Sequence, residues 1–197
     1  MQDQQPKGWT PVEDAKKGAG FMVLAAQVLA SPIEVFLRTR FGSRYFGVPS
    51  AIAILALPMW MLFWPGEDPQ PLLIFWGLYI LMQLRARVEG MRMVARSEHV
   101  HSRYNGRPRL ARIFRKMPEQ KVKVVAETVV VFVIGALMTS ISEPLGTYLM
   151  VAAFASGLLN STIDAVERAR TVELNDAWIE QQSLAERFRE MQHGRNR

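Results

Sequence analysis

The stretch Val124–Ser142, VVAETVVVFVIGALMTSIS, decides the fold class. Its nineteen residues include one charged side chain, that of Glu127. A helix that crosses the hydrocarbon core of a membrane needs about 17–25 predominantly apolar residues. A helix of a water-soluble bundle would keep a polar stripe, which this stretch lacks. The sequence therefore predicts a transmembrane helix at this position.

Three further stretches share this apolar character. Val48–Trp64 has seventeen residues, Pro71–Leu84 has fourteen and Leu145–Leu159 has fifteen. Pro71–Leu84 is short, but Arg85 and Arg87 can extend its reach by snorkelling toward the interface. We predict an all-α integral membrane protein with four transmembrane helices in two hairpins. The alternative is a soluble bundle with four buried helices.

The connections between these stretches indicate the orientation. Pro65–Gln70 and Glu143–Gly146 contain no Lys or Arg, whereas residues 85–123 contain twelve. Positive residues are retained on the cytoplasmic side. We expect a multi-pass protein of the inner (cytoplasmic) membrane with both termini cytoplasmic. The segments are 1–47 (cytoplasmic or interfacial, amphipathic), 48–84 (first hairpin), 85–123 (basic helical loop), 124–159 (second hairpin) and 160–197 (cytoplasmic helical tail).

The amino-terminal segment contains two helix-start motifs. Thr10–Glu13 and Ser31–Glu34 both read as capping boxes with Pro at the first helical position. They predict a helix that breaks near Ala30, followed by an amphipathic helix in the headgroup plane. A helix that faces a protein core has the same pattern. Phe21–Leu37 is also long enough to form a fifth span if its polar side chains find partners.

The basic loop includes HSRYNGRPRLARIFRK, His101–Lys116. We expect the helix of the second span to extend to about Tyr104–Gly106. Leu110, Ile113, Phe114 and Met117 then follow at helical spacing, which predicts a second short helix. The candidate basic surface consists of Arg103, Arg107, Arg109, Arg112, Arg115 and Lys116.

Three kinds of partner fit this basic surface. Anionic lipid headgroups attract basic residues that lie beside a membrane span. An acidic protein surface is the second interpretation. Nucleic acid is the third, because clustered arginines neutralise phosphates, although no base-reading or stacking module is present.

Three polar residues lie in or beside the second hairpin: Glu127, Asn160 and Asp164. Glu127 and Asn160 are at similar distances from the outer turn, so we predict a hydrogen bond from Glu127 to Asn160 or Ser161. The alternative is an ion or proton path along the three residues. Small residues at Gly135, Ala153 and Gly157 predict close packing of the third and fourth spans, or self-association.

The carboxy-terminal tail contains neither Pro nor Gly from Asn160 to Met191, which predicts one long helix. An apolar stripe along it comprises Leu174, Trp178, Leu184, Phe188 and Met191. This pattern is typical of a packing or coiled-coil surface. We expect either the Leu84–Arg103 helix or another subunit to cover it.

Catalytic and cofactor motifs are missing from the sequence. The chain has no cysteine, and no nucleophile triad, Walker loop or dinucleotide turn is present. His99 and His101 are two residues apart and would not share a helix face, which argues against a metal site with Glu98. We expect a non-enzymatic membrane subunit, without a cofactor, that anchors or assembles a larger complex at the cytoplasmic face. Its partners would be other subunits or copies of itself. The alternative is a homo-oligomeric channel or transporter subunit that uses the third and fourth spans.

Overall fold

The computed structural model describes residues 11–42, 47–96 and 104–195, and the side chains within 20–42, 47–96 and 104–189. Arg103, Glu98, His99 and His101 lie outside the described residues. The chain divides into two compact units, residues 1–160 and 161–197.

The described part of the chain is all-α, with five helices of twelve or more residues. The helices are α1 (Pro11–Leu37), α2 (Val48–Met59, continued by a 3-10 turn over Trp60–Phe63), α3 (Gln70–Ala95), the three-residue α4 (Glu119–Lys121), α5 (Glu127–Met138) and α6 (Glu143–Arg195). A π-helical turn, Val122–Ala126, joins α4 to α5. Three of the helices are long and apolar enough to cross a membrane: α1 over Gly20–Leu37, α3, and α6 over Glu143–Arg189.

The prediction that the amino-terminal helix breaks near Ala30 is wrong. α1 continues through Pro32 to Leu37 without interruption. Ala30, Ile33 and Val35 are buried within the bundle. A proline inside a helix costs about 3 kcal/mol, but burial of two or three aliphatic side chains at about 1.5–3 kcal/mol each offsets that cost.

One apolar core receives side chains from all five long helices. Ile33 from α1, Leu57 from α2, Leu72 from α3, Val131 from α5 and Tyr148 from α6 pack together. The opposite faces of these helices carry exposed apolar side chains, among them Leu55, Leu62, Ile74, Leu81, Leu137 and Phe154. A surface this apolar is typical of contact with lipid.

A buried hydroxyl cluster joins the first three helices. Ser31 Oγ lies 3.0 Å from Ser50 Oγ and 3.3 Å from the Tyr79 hydroxyl. The Tyr79 hydroxyl donates to the Ser50 carbonyl at 3.2 Å. These contacts satisfy three polar groups that would otherwise be costly to bury.

The connection after α3 differs from the expected pair of helices. α3 ends at Ala95, nine residues before Tyr104. The expected helix over Leu110–Met117 is only a 3-10 turn, Arg109–Arg112. Ile113 is 73% exposed, so its apolar side is not packed against the bundle. Without such packing, a short helix is not stable.

A two-stranded pairing joins this connection to the end of α1. Strand β1 (Arg38–Thr39) runs antiparallel to β2 (Arg107–Pro108). Gly106, immediately before β2, has φ +83°. A Cβ atom at Gly106 would lie 2.9 Å from the Phe41 ring and 3.0 Å from Arg38 Cβ. Only glycine fits this close approach without displacing its neighbours.

The second unit is helical from Ser161 to Arg195. Asp164 and Arg168 form an exposed ion pair at 2.7 Å, one helical turn apart. Six apolar side chains on this helix are each more than half exposed: Val172, Leu174, Trp178, Ile179, Leu184 and Phe188.

Candidate functional site

Two buried carboxylates flank one buried arginine where α1 meets α5. Arg38 donates to Glu127 Oε2 from Nε at 2.8 Å and from Nη2 at 2.7 Å. Its Nη1 lies 3.0 Å from Glu34 Oε1, one turn back along α1. All three side chains are at most 2% exposed. The guanidinium fork suits this double contact because its donors lie in one plane.

Asn105 connects this ion group to α6. The Asn105 carbonyl accepts from Arg38 Nη1 at 3.3 Å, and its side-chain Nδ2 donates to Asn160 Oδ1 at 3.1 Å. Lys123 Nζ donates to Asn105 Oδ1 at 2.9 Å. Asn160 Nδ2 in turn donates to the Ser156 carbonyl at 2.7 Å. Side chains from four separate segments therefore share one hydrogen-bonded network, which we call the inner network.

The charges of the inner network balance almost completely. Two cations, Arg38 and Lys123, lie beside two buried carboxylates, Glu34 and Glu127. A third carboxylate, Glu119, is 43% exposed and lies 2.7 Å from Lys123 Nζ. A buried charge without a partner would cost several kcal/mol, so this balance is a condition for burial. Glu127 Oε1 has no hydrogen-bond partner among the described residues.

Tyr104 and Glu119 close the network on its exposed side. The Tyr104 hydroxyl donates to Glu119, and Lys123 lies over the Tyr104 ring, 4.7 Å from its centre. Burial, followed by the hydrogen bond to Glu119, raises the pKa of Tyr104 to about 12. Burial alone would raise the pKa of Glu119, but hydrogen bonds from Lys123 and Tyr104 hold it below its usual value. Glu119 is therefore a carboxylate at neutral pH.

The predicted hydrogen bond between Glu127 and Asn160 is not formed. Glu127 pairs with Arg38, and Asn160 pairs with Asn105 and Ser156. A buried carboxylate forms a stronger hydrogen bond with a charged guanidinium than with a neutral amide. This difference explains why Glu127 pairs with Arg38 and not with Asn160. Asp164 pairs with Arg168 on its own helix.

The predicted basic residues line a surface cavity. Arg107, Arg109, Arg112 and Arg115 face a cavity of about 610 Å³, together with Thr39, Arg40 and Arg85. Lys116 is exposed but does not line this cavity.

The small residues mark close contacts between α5 and α6. A Cβ on Gly135 would lie 2.9 Å from the Met150 backbone nitrogen, and one on Gly157 would lie 2.9 Å from the Thr128 hydroxyl. Ala153 is fully buried in the core. The two helices pack closely where these residues lie.

The predicted tail residues are exposed in the single chain. Leu174 is 72%, Trp178 57% and Phe188 63% exposed. The side chain of Met191 lies outside the described residues.

Sequence reasoning missed four members of the inner network: Glu34, Arg38, Asn105 and Lys123. A signal was present, because Glu34 and Arg38, and likewise Lys123 and Glu127, are four residues apart with opposite charges. Such a pair, at the edge of an apolar stretch, indicates that a cation and a carboxylate on one helix face can neutralise each other. The joining of the two pairs depends on the tertiary structure.

Comparison of the chain with protein-family models, with characterised proteins and with solved structures finds no match.

Proposed function

We propose that the chain is a non-enzymatic, multi-pass membrane subunit that holds a partner protein at the cytoplasmic face through the tail of α6. The supporting observation is the exposed apolar stripe on this tail. Leu174, Trp178, Leu184 and Phe188 are each more than half exposed, on a helix whose earlier part is apolar enough to cross a membrane. Burial of each such side chain contributes about 1.5–3 kcal/mol, so a partner that covers the stripe gains substantial stability.

The spacing of the stripe favours a helix as the partner. Leu174, Leu184 and Phe188 of the stripe lie on one seam with Ala177 and Gln181, at successive intervals of three, four, three and four residues, and Trp178 flanks this seam. This is the heptad pattern of a coiled-coil seam, in which a single polar residue, here Gln181, sets the register. The stripe therefore fits a helix from a second chain, either another subunit or a second copy.

We further propose that five helical segments cross the membrane. The Tyr148 hydroxyl, near the start of α6, donates to the Leu29 carbonyl of α1, whereas Arg38 at the end of α1 reaches Glu127. α1 therefore runs in the same direction as α6 and opposite to α5. A crossing α1 places the amino terminus on the side opposite the basic connection.

The charge of the amino terminus is compatible with this topology. Residues 1–19 contain three Lys and three acidic residues, so they carry no net positive charge to retain them inside. In this topology only the carboxy terminus is cytoplasmic, whereas the sequence led us to expect both termini there.

The partners of Glu127 favour an anchor over a channel. The carboxylate is held by Arg38, and this pairing gives Glu127 a role in joining helices. The channel alternative predicts ion flux in liposomes that disappears in Glu127→Gln. The anchor proposal predicts no flux with either protein.

Site-specific photo-crosslinking tests the docking role. A photoreactive amino acid replaces Trp178 in one variant and Ser183, which is exposed on the opposite helix face, in a matched control. We expect a discrete crosslinked product in native membranes from position 178 and none from position 183. Absence of product at both positions, or equal yields, would contradict the proposal. The mass of the product distinguishes a second copy from another subunit.

A further inference from the structure

We infer that a two-lobed groove lined by arginines binds the clustered phosphates of an anionic phospholipid headgroup. The first lobe is the cavity of about 610 Å³ described above. A second cavity of about 500 Å³ adjoins it. Arg40 and Arg85 line both lobes, so the two lobes adjoin, and we call them together the arginine groove.

The arginine groove is strongly positive. Eight exposed arginines line it, accompanied by a single carboxylate, that of Glu89; they are Arg40, Arg85, Arg92, Arg96, Arg107, Arg109, Arg112 and Arg115. None of the eight forms a salt bridge with a described residue. Like charges at this density repel one another, and a bound polyvalent anion would relieve that repulsion.

The groove is built from three elements whose packing fixes its shape. Arg40 follows β1, Arg85 and Arg92 lie on α3 with Arg96 directly after it, and Arg107 to Arg115 lie on β2 and the turns after it. The β1–β2 pairing holds the first and third elements together. Arg40 has φ +57°, a conformation that residues other than glycine rarely adopt. The groove therefore has a defined geometry, beyond a general basic charge.

Phosphate is the ligand chemistry that this lining recognises. A guanidinium offers parallel N–H donors that match two phosphate oxygens. Two lobes that share Arg40 and Arg85 suit two phosphates held a short distance apart, as in a diphosphatidyl lipid. Basic pockets between transmembrane helices bind headgroups of this type.

The position of the groove favours a lipid over a nucleic acid. This step rests on the membrane placement proposed above. Arg85 directly follows the apolar run that ends at Leu84, and Arg40 follows the end of α1 by three residues, so both lie at headgroup depth. Leu84, Met91 and Ile113 are more than half exposed beside them and can contact acyl chains. The described residues that line the groove include no aromatic ring on which a base could stack.

Lipid titration monitored by native mass spectrometry tests the inference. The full chain in a neutral detergent is titrated with diphosphatidylglycerol and, separately, with phosphatidylcholine. We expect saturable binding of the first lipid only. Arg85→Gln with Arg112→Gln should weaken that binding by about tenfold or more, because two charge-assisted contacts are lost.

The matched control removes the same charge elsewhere. Arg170→Gln with Arg187→Gln, on the α6 tail, should bind diphosphatidylglycerol as the parent does. Equal loss in both double variants, or loss in neither, would overturn the inference. If the glutamine variant does not fold, Arg85→Lys with Arg112→Lys retains charge but lacks the fork. It should bind measurably more weakly than the parent, and unchanged binding would overturn the inference.

Two soluble probes distinguish the source of the phosphates. The first probe is tripolyphosphate. If it binds to the parent without lipid but not to the groove variant, the groove recognises phosphate and a soluble molecule can supply it. A short DNA duplex that displaces diphosphatidylglycerol at physiological salt would overturn the lipid assignment. Failure of crosslinking at position 178 would affect the docking proposal alone, since these measurements do not depend on the tail.

Discussion

Arg38 is the cation that lies between the two buried carboxylates of the inner network. It reaches Glu127 with two nitrogens, Glu34 with a third, and the Asn105 carbonyl. Removal of one member of a buried ion group leaves the remaining charges uncompensated, and this penalty exceeds the net contribution of the intact group. Arg38 therefore carries a larger share of the stability than its single charge indicates.

Arg38→Met should lower the free energy of unfolding by about 3–5 kcal/mol, because it leaves two buried carboxylates without their cation. Unfolding in detergent micelles, followed by circular dichroism, measures the change. Arg168→Met is the control, since it breaks an exposed pair of the same i, i+4 geometry and should cost at most about 0.5 kcal/mol. Similar losses in the two variants would contradict a special role for Arg38.

The double variant Arg38→Met with Glu127→Gln should be more stable than the sum of the two single changes predicts. Both partners are then neutral, and the penalty for one unpaired charge disappears. The same unfolding assay provides the four values of the cycle. Strict additivity would show that the two side chains are not energetically coupled.

Alanine substitutions at Gly106 and Gly66 distinguish the cost of backbone strain from the cost of a steric clash. Both have positive φ, +83° and +97°, but a Cβ on Gly106 would lie 2.9 Å from Phe41 whereas one on Gly66 meets nothing within 4 Å. Gly66→Ala should cost about 1 kcal/mol, and Gly106→Ala about 2 kcal/mol or more. Equal losses of stability would show that the contact with Phe41 and Arg38 is unimportant.

At the scale of elements, the contact between α5 and α6 depends on small residues. Gly135 faces the backbone of α6, where its missing Cβ allows the two helices to approach. Gly77, on α3, has nothing within 4 Å of the corresponding position. The two glycines therefore have opposite expected responses to the same substitution.

Gly135→Ala should destabilise the bundle by about 1–3 kcal/mol, because the new methyl group forces α5 away from α6. Gly77→Ala should be neutral or stabilising by up to about 1 kcal/mol, since alanine favours a helix. Thermal unfolding in detergent measures both. A stabilising effect of Gly135→Ala would contradict the close packing of the two helices.

The continuity of α1 shows what local pattern could not predict. Ser31–Glu34 has the residues of a helix start, yet Ser31 bonds Ser50 and Tyr79 and so does not cap a new helix. Glu34 faces Arg38, which provides the partner that the fifth-span interpretation required. A local motif cannot reveal that its side chains are engaged by distant helices, so the break at Ala30 was the expected but wrong result.

The helix predicted over Leu110–Met117 did not form, for a related reason. The spacing of Leu110, Ile113 and Met117 is helical, but a short amphipathic segment forms a helix only when its apolar face is covered. Ile113 is 73% exposed. Periodicity alone therefore overestimated the helical content of the basic connection.

At the scale of the whole molecule, the apolar runs were sufficient to predict an all-α chain with helices that could cross a membrane. Run length and composition determine that property, and both are local. The inner network was not predictable in the same way. Arg38 and Glu127 are 89 residues apart in the chain, and only the packing of α1 against α5 brings them together.

The proposed topology requires α1 to cross the membrane, with the basic connection on the cytoplasmic side. The chain has no cysteine, so a single introduced thiol reports one position without background. Gln5, Glu67, Ala111 and Ser183 can each be replaced by cysteine in otherwise unchanged chains.

Labelling of bacterial spheroplasts that express these variants, with a membrane-impermeant maleimide, tests the topology most directly. We expect positions 5 and 67 to react in intact spheroplasts, and positions 111 and 183 to react only after the membrane is permeabilised. Reaction at position 111 from outside, or protection of position 5 until permeabilisation, would contradict the five-crossing arrangement.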